Sequence, residues 1–289
     1  MLPLLTVILF TVLNGNLAEG IRELDFLKNT FVVDLSNEVI QEDVELECNV
    51  STGQDVYWTT PNSQRQKTGK ITVKEYVDVG NYTCHLPTGD IVDYKVILLN
   101  NPESRHLHCE AKNYSGHFNC AWTPRKKPEQ YVIQAYRGLN TIPCDAPVIS
   151  DSRVVVTCHD PETCVHGEEE KRILFHLHVI TEKSYDLHEQ SFALRDITKP
   201  DPPQHLLNSG RLLEWKYPKT WCNIHSFFPL IFNVKIETSK KSEGLNSWKH
   251  HKDIEGTKFH LSKKGKLQFC VQARDMFYNS SWSDWICSK

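Results

Sequence analysis

Cysteine is the residue type in this chain whose spacing says most about chemistry. The 289 residues include ten cysteines, which favour disulfide bonds formed in an oxidising compartment. The turn signal Asn113–Gly116 lies midway between Cys109 and Cys120, so a hairpin there would bring these two cysteines within bonding distance. Cys144 and Cys158 lie symmetrically about a Ser-Asp-Ser turn and form a second expected pair.

Cys270 and Cys287 can be paired by a similar geometric argument. A hairpin with its tip near Tyr278 would set these two residues opposite each other on antiparallel strands. Opposed Cα atoms lie about 4.5–5.5 Å apart, within the range of a disulfide. Cys222 is then left over, and it could replace either member of the pair.

Cys164 lies in a polar loop and has no obvious partner in the chain. A leftover cysteine in a secreted protein suggests an intermolecular bond. A local bond to Cys158 and a free thiol are the alternatives. Of the ten cysteines, Cys164 is the strongest candidate for a direct functional role.

The remaining reactive side chains do not assemble into an expected catalytic or metal site. His106 and His108, and likewise His176 and His178, fall on one face of strand-like segments, but zinc normally needs three or four ligands. There is no Ser-His-Asp or Cys-His context, phosphate loop or pair of catalytic carboxylates. We therefore expect no enzyme activity, cofactor or metal, and the net charge of −3 gives no general attraction to nucleic acid.

The first 20 residues predict a signal peptide. The apolar run that ends at Leu13 is too short to span a bilayer, and small residues precede an expected cleavage after Gly20. A buried core helix is the alternative. No second long apolar run follows, so we expect a secreted, extracellular protein without a membrane anchor. The sequons that agree with secretion are Asn49, Asn81, Asn113 and Asn279.

The elements that position the cysteines are predicted β-strands, which fall into three blocks of the chain. The first block, residues 21–101, has a cysteine, a tryptophan and then Tyr-x-Cys at Cys48, Trp58, Tyr82 and Cys84. This order is typical of an immunoglobulin-like sandwich in which Cys48–Cys84 bridges two sheets. Tyr82 and Cys84 then point inward, so Asn81 points outward and can carry a glycan.

The second block, residues 102–199, and the third, residues 200–289, are separated by the proline-rich segment 199–203. Proline stiffens and extends such a linker. Both blocks contain short alternating strands and no long helical pattern. The sequence therefore predicts an all-β protein of three β-sandwich domains in tandem.

Near the end of the third block, Trp282-Ser-Asp-Trp285 lies opposite an alternating strand. Arg274 is on the outward face of that strand, where a guanidinium can stack between indole rings. We expect this tryptophan ladder to be structural rather than a partner contact.

Taken together, Cys-x10-Cys-x-Trp, the proline-rich hinge and Trp-Ser-x-Trp resemble the class I cytokine-receptor module of two fibronectin type III domains. The immunoglobulin-like block and the missing anchor narrow the resemblance to the beta subunits shared by interleukin-12 and interleukin-23. Segments 109–116 and 195–203 carry that likeness. Ile286 departs from the small residue that often follows the last tryptophan.

The resemblance implies that the chain pairs with a four-helix cytokine alpha chain and engages cell-surface receptors. It implies an interchain disulfide at Cys164. It also implies partner contacts, which we assign to Tyr114, Glu168, Phe227, Asp275 and Phe277. Asp275 would receive a cationic side chain of the partner. Simple core packing is the alternative for each aromatic residue, and a glycan on the Asn113 sequon would block this surface, so we expect that sequon to be unused.

A soluble cytokine-binding receptor or decoy is the main rival, and a cell-adhesion fragment is a weaker one. A decoy needs no interchain disulfide, so an interchain bond at Cys164 would favour the cytokine subunit over the decoy receptor. Lysines in segments 240–252 and 263–266 make the third block locally basic. This segment is either a glycosaminoglycan patch or a solvated face, and the second is the simpler explanation.

Overall fold

The structure is a computed structural model that describes residues 20–35, 41–125, 129–150, 152–163, 170–221, 228–239, 246–262, 267–278 and 280–288. The regular secondary structure of the described chain is almost all β-strand, as the sequence predicts, with one helical turn at Leu194–Ile197. It divides into two compact units. One unit takes the described residues within 1–103, 127–130 and 179–186, and the other takes the rest. The three-domain division stays a prediction, and its boundary at 199–200 lies inside the second unit.

The described residues of the first unit include the first eight strands of the chain. They are β1 (Ile21–Glu23), β2 (Thr30–Val33), β3 (Glu42–Glu45), β4 (Tyr57–Thr59), β5 (Arg65–Gln66), β6 (Lys70–Val73), β7 (Gly80–His85) and β8 (Ile91–Asn100). Strands β5, β4, β7 and β8 are hydrogen-bonded in that order, β2 joins β8 in parallel, and β3 pairs with β6 in a separate sheet. The Cys48–Cys84 disulfide links the chain after β3 to β7, so it joins the two sheets as predicted.

The core of this unit follows the alternation of β7. Tyr82 and Cys84 are buried beside Trp58, whereas Asn81 is exposed. The Tyr82 hydroxyl donates a hydrogen bond to the Asp78 carbonyl at 2.5 Å, which is the expected corner tyrosine. Burial, and next the charge of Asp78, raise the pKa of Tyr82 to about 12.

Asp93 ties the start of β8 to the chain beside the disulfide. Its carboxylate accepts the backbone N–H groups of Asn49 at 3.0 Å and Tyr94 at 2.8 Å, and it lies 3.2 Å from the Lys95 ammonium. Burial opposes ionisation, but these donors outweigh it and lower the pKa of Asp93.

The second unit contains two groups of sheets. The strands of the first group are β9 (His108–Glu110), β10 (His117–Trp122), β11 (Gln130–Arg137), β12 (Asn140–Ile142), β13 (Val148–Ser150), β14 (Arg153–His159), β15 (Ile173–Ile180) and β16 (Ser184–Phe192). They form the sheets β13-β14-β10-β9 and β12-β11-β15-β16, and the ends of β11, β15 and β16 group with the first unit. Phe118, Trp122 and Phe175 are fully buried in this group.

The second group follows the proline-rich segment. Its strands are β17 (Gln204–Asn208), β18 (Leu212–Lys216), β19 (Leu230–Ser239), β20 (Asn246–Glu255), β21 (Lys258–His260), β22 (Phe269–Asp275) and β23 (Ile286–Cys287). They form the sheets β17-β18-β21 and β20-β19-β22-β23. Within the residues that the structure describes, no helix is long and apolar enough to cross a membrane.

Among the described residues of the second unit, the disulfides Cys109–Cys120 and Cys270–Cys287 each join neighbouring strands, and Cys144–Cys158 joins the chain between β12 and β13 to β14. The Cα separations are 4.1 Å for Cys109–Cys120, 4.0 Å for Cys144–Cys158 and 3.9 Å for Cys270–Cys287. Cys270 lies opposite Cys287 in the register of β22 and β23, which is the pairing that the hairpin argument predicts. All four predicted bonds are therefore present, and Cys164 and Cys222 lie outside the described residues.

Candidate functional site: a buried carboxylate in an aromatic cluster

An aromatic cluster lies where three loops of the second unit meet. Tyr114, in the turn after β9, packs its ring edge to face against Trp221, Phe228 and Tyr278, with ring centroids 5.6, 5.7 and 5.9 Å away. Edge-to-face pairs at this spacing are favourable beyond the area that they bury. Tyr114 is only 5% exposed, so the cluster fixes the relative positions of the three loops.

Asp275, the last residue of β22, lies beside this cluster and is fully buried. Its Oδ1 atom accepts the backbone N–H groups of Phe277 at 2.6 Å and Tyr278 at 2.9 Å, so it shapes the following loop. Its Oδ2 atom is buried, and the Tyr114 phenol interacts with the carboxylate through a side-chain hydrogen bond. Burial, and then the charge of Asp275, raise the pKa of the Tyr114 phenol.

A buried carboxylate is costly unless a cation or enough hydrogen bonds compensate its charge. Two backbone donors and the Tyr114 phenol meet part of that requirement for Asp275. The rim of the cluster is apolar and accessible, since Phe277 is 65% and Met276 42% exposed. Phe277 stays attached to the cluster because its ring lies 5.4 Å from that of Phe228. The fully buried carboxylate therefore lies next to an accessible apolar rim.

The predicted partner contacts divide into three kinds. Phe277 is exposed, as a contact residue should be. Tyr114 and Asp275 are buried in the isolated chain, where Tyr114 adopts the core packing weighed as its alternative. Glu168 and Phe227 lie outside the described residues. The surface around Tyr114 is thus formed by Phe277 and not by the tyrosine itself.

Comparison with known proteins decides the family. A family model described as cytokine interleukin-12p40 C-terminus matches residues 104–181. The chain is 32% identical to interleukin-12 subunit beta of Lama glama, over 89% of this chain and 90% of that protein. The same shares hold for the subunit of Felis catus at 32% and of Equus caballus at 31% identity. The chain belongs to the interleukin-12 subunit beta family. It is accordingly a cytokine subunit and not an enzyme.

The tryptophan ladder of this interleukin-12 beta family member has two cations. The Arg274 guanidinium lies 4.6 Å from the centre of the Trp282 ring, as predicted. The Lys235 ammonium lies 4.6 Å from Trp285 and 5.1 Å from Trp248. The ladder thus reaches from the C-terminal motif across β22 and β19 to β20. Sequence reasoning missed Lys235 and Trp248 because only the strand register brings them to the motif.

The sequons differ in accessibility. Asn81 is exposed, and Asn279 lies outside the described residues. Asn49 is also exposed, next to Cys48 of the disulfide in the first unit. Asn113 is 8% exposed, and its Nδ2 atom, to which a glycan would be joined, donates to the Thr220 carbonyl at 2.7 Å. This bond gives a physical reason for the expectation that the Asn113 sequon is unused.

The histidine pairs considered for metal binding are held by other contacts. His176 lies 2.9 Å from a Glu189 carboxylate oxygen, and His178 contacts the Gln134 side chain at 3.0 Å. Over the part of the chain that the structure describes, no three histidine, cysteine or acidic side chains are arranged to hold a metal ion.

Three aromatic residues of the cluster were also missed, namely Trp221, Phe228 and Tyr278. Their positions in the sequence are the available signal. Trp221 and Phe228 flank the segment that contains the leftover Cys222, and Tyr278 follows β22, which ends at Asp275. Loop aromatics of this kind are candidates for binding residues.

Proposed function

We propose that this chain is a secreted subunit that pairs with a four-helix cytokine alpha chain and presents the resulting heterodimer to cell-surface receptors. Membership of the interleukin-12 subunit beta family supports this proposal, because the relatives are named as subunits. The signal-peptide pattern at the N-terminus and the four disulfides support secretion.

The single observation that carries the pairing proposal is the fully buried carboxylate of Asp275. A lysine or arginine of the alpha chain that reached it would supply the missing positive charge. Exposed apolar side chains at Met276 and Phe277 would then exclude water around that ion pair. A pair formed in this way is strong because it is charge-assisted and shielded from solvent.

The covalent part of the proposal concerns Cys164, which would bond to a cysteine of the alpha chain. The four disulfides of the described residues account for eight of the ten cysteines, so Cys164 and Cys222 are left. In the sequence Cys164 follows Thr163, whose hydroxyl donates to the buried Asp160 carboxylate at 3.0 Å.

The test is to secrete the chain with and without a four-helix alpha chain and compare the products on non-reducing gels. Wild type should give a heavier band that disappears on reduction. Cys164→Ser should lose that band, and the matched control Cys222→Ser should keep it. If wild type is secreted only as a monomer, a non-covalent subunit or a reversible decoy receptor becomes the better description.

A further inference from the structure

Met276 carries a thioether that an oxidant can reach in the free chain. The sequence contains two methionines, Met1 and Met276, and Met1 lies in the expected signal peptide. Cleavage of that peptide leaves Met276 as the single methionine of the mature chain. Met276 is 42% exposed. Accessible thioethers are a common site of oxidation, and the sulfoxide that forms can be reduced again by dedicated enzymes.

The backbone on both sides of Met276 is fixed by hydrogen bonds. The Met276 N–H donates to the Pro229 carbonyl at 3.0 Å. The preceding residue, Asp275, is fully buried, and its carboxylate accepts the N–H groups of Phe277 at 2.6 Å and Tyr278 at 2.9 Å. These bonds do not involve the thioether. Oxidation of the sulfur should therefore change the polarity of this surface without changing the path of the loop.

Met276 and Phe277 form an exposed apolar surface, which we call the Met276–Phe277 rim. Phe277 is 65% exposed, and its ring centroid lies 5.4 Å from that of Phe228. Phe228 packs in turn against the buried Tyr114 at 5.7 Å. Methionine and aromatic side chains are enriched at protein–protein interfaces, and a flexible thioether adapts to the surface that it meets. A polar group introduced at Met276 would therefore enter an apolar contact.

We propose that Met276 is an oxidation site through which a peroxide weakens pairing with the alpha chain. The inference rests on the proposed function, in which the Met276–Phe277 rim meets the alpha chain. In the reaction with hydrogen peroxide, a sulfur lone pair attacks one peroxide oxygen, so that the O–O bond breaks and an S–O bond forms. The sulfur is oxidised by two electrons, the peroxide is reduced, and a proton transfer releases its second oxygen as water.

The sulfoxide weakens pairing because its oxygen is a hydrogen-bond acceptor that needs a donor. Water supplies that donor in the free chain, whereas the alpha chain would replace the water with an apolar contact at Phe277. We expect the Kd to rise about 5- to 140-fold, which is the cost of about 1–3 kcal/mol for an unsatisfied buried polar group. The alpha chain should also cover Met276 and slow its oxidation within the heterodimer.

The test uses the full mature chain with Cys164→Ser and Cys222→Ser, so that neither leftover thiol reacts with the oxidant. This parent chain is treated with hydrogen peroxide and freed of it, and peptide mass spectrometry measures the conversion of Met276 to the sulfoxide. The Kd for an untreated alpha chain is then measured by surface plasmon resonance, and the thermal unfolding midpoint is measured in parallel. Two methionine sulfoxide reductases, one for each sulfoxide epimer, should restore the original Kd.

Two substitutions at the same position make the test specific. Met276→Leu is the matched control, because leucine keeps an apolar side chain of similar volume and has no sulfur. Its Kd should be the same before and after peroxide. Met276→Gln places a polar amide on the rim without any oxidant, and it should raise the Kd at least about fivefold. Its unfolding midpoint should stay that of the parent chain, because the side chain is accessible to water before pairing.

The outcomes separate the inference from the proposed function. If the untreated parent chain does not bind the alpha chain, the proposed pairing itself fails. If it binds, and complete conversion of Met276 to the sulfoxide leaves the Kd unchanged, the pairing stands and the role of oxidation is refuted. An equal loss of affinity in peroxide-treated Met276→Leu would overturn the inference, since another residue would then be responsible. A loss of affinity that comes with a lower unfolding midpoint would overturn it too.

Discussion

Replacement of Asp275 by asparagine separates a partner-binding role from a structural one. Asparagine keeps an Oδ1 atom that can accept the N–H groups of Phe277 and Tyr278, so the loop after β22 should keep its path. The negative charge is lost, and the second oxygen becomes an amide N–H group that can donate to the Tyr114 hydroxyl oxygen. Because that charge is fully buried and has no cation among the described residues, its removal should leave the isolated chain as stable as before, within about 1 kcal/mol, or more stable.

Pairing with the alpha chain should respond in the opposite direction. If a cation of the alpha chain meets Asp275, removal of one member of that buried pair costs about 2–5 kcal/mol. This loss corresponds to a rise of roughly 30-fold to several thousand-fold in the Kd. The difference between a small effect on stability and a large effect on binding is the signature of a residue that serves the interface.

The assay measures the Kd of the alpha chain by surface plasmon resonance in a Cys164→Ser background, so that covalent linkage does not hide the affinity. Thermal unfolding of each isolated chain is measured in parallel. Asp253→Asn is the control, since Asp253 is exposed and pairs with Arg274 at 3.4 Å. An unchanged Kd for Asp275→Asn, or a large loss of stability without a loss of affinity, would refute the reasoning.

Three further predictions concern the fold and its modification. Asp93→Asn should destabilise the protein at pH 7, because the lowered pKa of Asp93 contributes stability while its carboxylate is ionised. The difference in stability from wild type should shrink as the pH falls through the ordinary aspartate range and below. Unfolding midpoints of both proteins at pH 7 and pH 3 check this. Tyr82→Phe should cost about 1 kcal/mol in chemical denaturation, since it removes one buried hydrogen bond to a backbone carbonyl, and an unchanged midpoint would contradict it. Asn113→Gln should leave the glycan mass of the secreted protein unchanged whereas Asn81→Gln should lower it, as measured by intact-mass spectrometry; a glycopeptide that includes Asn113 would disprove the first part.

The sequence predicted local features well because short-range geometry determines them. The pairings Cys109–Cys120 and Cys270–Cys287 follow from the position of one hairpin turn each. The burial of Tyr82 and the exposure of Asn81 follow from the period-two alternation of a strand. In these cases the residues that decide the outcome are within about 20 positions of one another.

Features that depend on long-range register were not predictable in the same way. Lys235 enters the ladder only because β19 lies between β20 and β22. Tyr114 was assigned to a surface, but Trp221, Phe228 and Tyr278 cover it from loops more than 100 residues away. A sequence pattern shows that an aromatic residue is in a turn, but not which other turns fold over it.

Two buried aspartates of the second unit, Asp160 and Asp275, share a local structure that holds the residues after them in position. Asp160 follows the end of β14, and Asp275 ends β22, and both are buried. Each accepts the backbone N–H of the residue two positions later, which is the hydrogen bond that sets an aspartate turn. Since each aspartate carboxylate is buried in the core, its hydrogen bond restricts the motion of the turn that follows the strand. Phe277, the proposed contact residue, is then placed by the fold before any partner binds, which lowers the entropy that it would lose on association.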